Sequence, residues 1–132
     1  MPAIPWIPVL VATLASFFLG AFWYSKVAFG RAWMRESGVA ENACGGRSMA
    51  LTLGTAFLLT LISTSALSFC IRPGAGPLMG CISGLVVGIG WVATSFGTSY
   101  LFEGKSFKLF VITGGFYIVR FLLAGFILGL LQ

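Results

Sequence analysis

The chain has 132 residues, 58% of them hydrophobic and 8% charged, with a mean hydropathy of +1.02 and a formal net charge of +5. Ordinary soluble domains carry about 25% charged residues, so the composition excludes one and points to an integral membrane protein. Histidine is absent and Cys44, Cys70 and Cys81 stand in no metal-ligand spacing, which predicts neither a cofactor nor a metal site.

Crossing about 30 Å of hydrocarbon takes about 20 apolar residues. Four stretches are long enough: about residues 5–24, 49–70, 78–100 and 107–131. They predict one all-α domain over residues 1–132, a mostly antiparallel bundle of four transmembrane helices with a short interfacial helix after the first span. The leading segment lacks a basic region and a small-x-small cleavage site, so it reads as a retained span rather than a signal peptide. Pro5 and Pro8 suit a first helical turn, and Trp6 suits an interface anchor.

After the first span, SKVAFGRAWMRESG (residues 25–38) offers Ser25 as an N-cap, Val27, Phe29, Trp33 and Met34 as an apolar side, Arg31 and Arg35 at i,i+4, and Gly38 as a stop. It is either an amphipathic helix lying in the interface or an extension of the first span. ENACGGR, residues 41–47, is a polar connector. The second span carries Thr52, Thr55, Thr60, Ser63, Thr64, Ser65 and Ser68, whose hydroxyls can bond within their helix or across to a neighbour. RPGAGP (residues 72–77) is a tight turn flanked by Cys70 and Cys81, and helix axes about 8–10 Å apart hold such a pair too far apart to bridge. Free thiols are expected there.

Small residues recur every fourth position: Ala12, Ser16 and Gly20; Gly80, Gly84 and Gly88; Gly125 and Gly129. Helix association in lipid relies on close packing, so these stripes mark contact faces, within one bundle or between protomers. Lys26, Arg31, Arg35, Arg47, Lys105 and Lys108 flank one side of the spans and Arg72 the other. This positive-inside bias predicts a bacterial inner (plasma) membrane protein with both termini on the non-cytoplasmic side. The basic charge then follows from topology and implies membrane lipid, not nucleic acid, as a partner.

The carboxylates are Glu36, Glu41 and Glu103, all in loops, and no serine or cysteine has a histidine base. A catalytic constellation cannot be assembled from them, so no enzyme is expected. Glu103 either pairs with Arg31 and Arg35, pinning two loops together, or is solvated.

LGAFWYSKVAFGRAWM (residues 19–34) and LFEGKSFKLFVITGGFYIVRFLLAGFILGL (residues 101–130) resemble the two best-marked blocks of the small bacterial membrane-protein family catalogued as domain of unknown function 1761. The most specific pieces are Trp23, Tyr24 and Ser25 with Phe29, Gly30, Trp33 and Met34, and the LFEGKS turn. The resemblance implies a compact four-helix membrane protein with no established activity.

Arg120 lies inside the fourth span, about 17–19 Å from either end at about 1.5 Å per residue. Its side chain cannot reach either surface. A charge at that depth is costly in lipid, so Arg120 is expected to face protein, water or an anion. On a helical wheel it shares a sector with Thr113, Phe116, Tyr117 and Ala124, apart from a lipid-facing Leu122, Leu123, Phe126 and Leu130. Counting outward from LFEGKS puts Trp91 at the same depth, within cation–π reach. Ser16, Thr60, Ser63 and Thr64 fall near that level as hydrogen-bond acceptors. Three arrangements compete: satisfaction by these groups or by another subunit's carboxylate, an anion or lipid-phosphate site, and access to water. The expected function is a non-enzymatic membrane protein assembling as a homo-oligomer or as an accessory subunit of a larger membrane complex. The competing function is an anion or small-molecule channel or transporter with Arg120 as its anion site.

Overall fold

The structure, a computed structural model, describes residues 4–25, 28–37 and 49–132. Lys26, Val27, Gly38, Arg47, Cys44 and the 41–47 connector lie outside the described residues. The elements are α1 (Trp6–Trp23), α2 (Gly30–Ser37), α3 (Met49–Phe69), α4 (Pro77–Val87), a π-helical segment (Gly88–Ala93), α5 (Thr94–Glu103) and α6 (Phe107–Leu131). Four helices are long and apolar enough to cross a membrane: α1, α3, α6, and the continuous Pro77–Glu103 stretch built from α4, the π segment and α5. The chain is a multi-pass membrane protein.

Proline and glycine set the helix ends. Pro77 opens α4 behind Gly76, which takes φ +93°, and Gly104 closes α5 in the left-handed conformation. Ser106 then caps α6, its side chain accepting from the Leu109 N–H. These two residues make LFEGKS a helix–turn–helix connection, because a left-handed C-terminal residue stops one helix and a serine N-cap starts the next.

Ser25 behaves differently from the N-cap expected of it. Its Oγ donates to the Phe22 carbonyl at 2.6 Å, and the chain turns once more before α2 begins. The Gly30 N–H reaches the Ser25 carbonyl at 2.9 Å. Gly30 lies so close under the Tyr24 and Ser25 carbonyls that a Cβ there would collide with them. Tyr24 and Trp33 meet edge-on at 5.6 Å, which folds α2 back against the end of α1.

α6 is the hub. Val9 and Ala12 of α1, Leu67 of α3, Ile71 beyond α3, and Phe121, Ala124 and Leu128 of α6 form the buried apolar core. Against α4 the contact is backbone on backbone: a Cβ on Gly80 would land on the Gly125 carbonyl, one on Gly84 on the Phe121 carbonyl, and one on Gly129 on the Gly76 carbonyl. Gly88 sits against Ile118. Ala12 and Ser16 are buried, and a Cβ on Gly20 would meet the Phe116 ring at 3.4 Å. The α1–α6 contact is also tied by Trp23, whose Nε1 donates to the Ile112 carbonyl at 3.0 Å.

The π segment changes the third span's phase. Its buried positions run Gly80, Gly84, Gly88 and then Ala93, a step of five in place of four, as a widened turn requires. Cys70 and Cys81 are free thiols.

Candidate functional site

The Arg120 side chain leaves the middle of α6 toward α3 and is only 4% exposed. Its Nη2 donates to Ser63 Oγ at 2.7 Å, to the Thr60 carbonyl at 3.3 Å and to Thr64 Oγ1 at 3.4 Å. The guanidinium lies over the neighbouring Phe121 ring, 4.5 Å from its centroid. α3 can present these acceptors because its hydroxyls use their own protons elsewhere. Ser63 Oγ and Thr64 Oγ1 both donate to the Thr60 carbonyl, and Thr60 Oγ1 donates to the Ala56 carbonyl. Facing Arg120, they offer lone pairs alone.

Two cavities meet at Arg120. One, of about 330 Å³, lies between α1, α3 and α6. The other, of about 320 Å³, lies between α3, the third span and α6. Ala56, Thr60, Tyr117 and Arg120 line both. Tyr117 stacks on Phe96 at 5.0 Å and packs edge-on against Phe116 at 5.0 Å.

Of the residues singled out from sequence, Thr60, Ser63, Thr64 and Tyr117 come together around Arg120. Ser16 lines the first cavity, with its hydroxyl bonded back to Ala12 at 2.8 Å. Thr113 stands away from the guanidinium. Its Oγ1 is buried beside the Tyr24 phenol without a partner in hydrogen-bonding geometry.

Trp91 is not at the site. It is 64% exposed, and Val92 and Phe96 face the second cavity instead. The count from LFEGKS gave a depth and not a face, and within the widened turn of the π segment Trp91 lies on the outer side of the third span. Glu103, Arg31 and Arg35 are all exposed, and among the described residues no ion pair joins them.

Gln132 was not anticipated. Its Nε2 donates to the Ile71 carbonyl at 2.6 Å and the Ser68 carbonyl at 3.1 Å, and its backbone carbonyl accepts from the Gly74 N–H at 3.2 Å. The available signal was a lone amide side chain next to an apolar helix end, beside α3 carbonyls freed by the end of their own helix.

The Trp23–Tyr24–Ser25 turn closed by Gly30, and the Gly104–Ser106 turn leading into the Arg120 helix, fall in the two sequence blocks that carry the family resemblance. A family model described as protein of unknown function (DUF1761) matches residues 7–129. The chain belongs to this family. The match covers α1 through nearly all of α6, so the Arg120 site of this DUF1761 protein lies within the family's own extent. No curated protein and no solved structure matches the chain.

Proposed function

We propose that this DUF1761 protein is a non-enzymatic protein of the bacterial inner membrane, its four spans forming a mostly antiparallel bundle, which works by assembling through its third span with a second copy of itself. A larger membrane complex containing it as an accessory subunit would use the same surface. The observation that carries this reading is an uncovered stripe of small residues. Gly90, Thr94 and Thr98 are exposed, and among the described residues nothing lies within 4 Å of a Cβ on Gly90. Thr94 Oγ1 donates to the Gly90 carbonyl at 2.9 Å and Thr98 Oγ1 to the Thr94 carbonyl at 3.0 Å, so the three sit one above another. Their hydroxyls are already satisfied within the helix. The stripe therefore adds no polar cost to a close approach, and in lipid such stripes drive helix association.

The non-enzymatic reading rests on residue supply: a chain without histidine, whose carboxylates are confined to positions 36, 41 and 103, has no base for a nucleophile. The bias of Lys and Arg toward the LFEGKS side supports both termini facing away from the cytoplasm.

The test is cysteine cross-linking in membranes. With Cys44, Cys70 and Cys81 replaced by serine, Thr94→Cys should give a covalent dimer. Adding Gly90→Leu should abolish the dimer without affecting the monomer, since that side chain would project into open space. A protein that is monomeric by native mass, with no cross-link from Thr94→Cys, would sink self-assembly. A stoichiometric, different subunit retained through purification would replace it with the accessory role.

A further inference from the structure

Arg120 carries a full positive charge that its partners solvate but do not neutralise. Its acceptors among the described residues are all neutral and all lie on Nη2. The N–H groups on Nε and Nη1 meet no acceptor among the described residues, and the chain has no carboxylate between residues 104 and 132 or anywhere in α3. The hydroxyls of Ser63 and Thr64 are neutral acceptors, their own O–H groups donating to the Thr60 carbonyl, so they do not balance the charge. A buried cation with unused donors is incomplete by itself.

The space next to it has a defined chemistry. Phe17, Leu53 and Phe116 make one cavity apolar, and Leu59 and Phe96 do the same for the other. Tyr117 is the polar residue common to both besides Thr60 and Arg120, and its hydroxyl makes no hydrogen bond among the described residues. Neither cavity is closed. A single cation in a low-dielectric wall balances a single negative charge, and a dianion would bring one charge too many. Apolar walls then call for an apolar body attached to that head. Exposed Arg31, Arg35, Lys105 and Lys108 lie in the connections at the end of the molecule where Tyr24 and Leu53 line the first cavity, and they would concentrate anionic amphiphiles there.

We infer that Arg120 binds the monoanionic oxyanion head of an amphiphile, a carboxylate or phosphodiester carried on an apolar body. Nε and Nη1 donate to the head and the Tyr117 hydroxyl adds a further donor, while α3 holds Nη2. The apolar body lies in the cavities flanking Ala56. This inference is independent of self-assembly through the third span.

Thermal unfolding of the purified protein in a non-ionic detergent tests it, because a ligand that binds only the folded state raises the midpoint. Palmitate supplies the carboxylate head and phosphatidylglycerol the phosphodiester head. Either should raise the midpoint by several degrees, and the one that does so identifies the head. Phosphatidylcholine, whose net charge is zero, should not. Acetate and inorganic phosphate, which are heads without a body, should not do so at the same concentration. Arg120→Leu should lose the shift. Ala56→Phe, which fills the cavities and leaves Arg120 on its α3 acceptors, should lose it too, and this variant decides the matter if Arg120→Leu does not fold. No shift in the natural protein, an undiminished shift in Ala56→Phe, or equal protection by acetate or phosphate would overturn the inference.

Discussion

Gly80 and Gly125 show how little room the fold leaves at single positions. Each would drive a Cβ onto the other's carbonyl oxygen, and neither backbone can yield without moving its helix. Overpacking of that kind costs about 1–3 kcal/mol. Gly54 is also a helical glycine, but nothing lies within 4 Å of the position a Cβ would take. There alanine improves helix propensity by about 0.5–1 kcal/mol. Gly80→Ala should therefore unfold at lower temperature than the natural protein and Gly54→Ala at the same or a higher one, measured side by side in one detergent. Equal behaviour of the two variants would mean that the α4–α6 backbone contact is looser than the geometry described. Arg120 illustrates the opposite economy at the same scale: it is tolerated because α3 turns three lone-pair donors toward it and the adjoining cavities spare it from direct packing.

At the scale of elements, the reading from sequence found the α3 acceptors, where helices run at uninterrupted α pitch, but misplaced Thr113, which shares a sector of α6 with Arg120 two turns away, and Trp91, where pitch changes. Hydropathy located the four long helices because length and apolarity alone decide that question. The acceptors Thr60, Ser63 and Thr64 could be reached by counting along α3 and α6, neither of which is broken. Trp91 could not, because the count from LFEGKS fixed its depth alone, and the π segment Gly88–Ala93, which decides its face, has no hydropathy signature. Ser25 was misread for a related reason: a serine before an amphipathic run looks like an N-cap, while the turn that precedes α2 is closed by Gly30 under the Tyr24 carbonyl. Gln132 escaped notice because a single polar residue beside a long apolar run carries no periodicity. The outward rotation of Trp91 has a spectroscopic consequence. In vesicles containing brominated lipid, Trp91 should be strongly quenched and Trp23, whose Nε1 is held by the Ile112 carbonyl, only weakly. With Trp6, itself 55% exposed, already replaced by phenylalanine, Trp91→Phe should remove most of the quenchable emission and change stability by no more than about 0.5 kcal/mol, as expected of an exposed position. Retention of that quenchable emission in Trp91→Phe would return Trp91 to the interior.

Over the whole molecule the four long helices are held unequally. Eleven of the 25 residues of α6 are buried, whereas in α3 the buried ones among the described residues are Thr64, Leu67 and Ser68, so α6 is the hub and α3 the outlying helix. α6 and the residue that follows it reach α3 by hydrogen bonds at two heights: Arg120 engages Thr60, Ser63 and Thr64, and Gln132 engages the Ser68 and Ile71 carbonyls. Both lie in the half of α3 nearer the RPGAGP turn. Toward the other end, Leu53 and Ala56 stand on the wall of the first cavity. Local opening is easiest where buried contacts are fewest. Hydrogen exchange in detergent should therefore show residues 53–56 exchanging well before residues 60–69, two stretches of one continuous helix behaving as separate units. Arg120→Leu removes the mid-height attachment and should bring residues 60–64 toward the faster class, while residues near Ser68 stay protected by Gln132. Uniform exchange along α3, unaffected by the substitution, would show that the helix is held by something other than these two attachments.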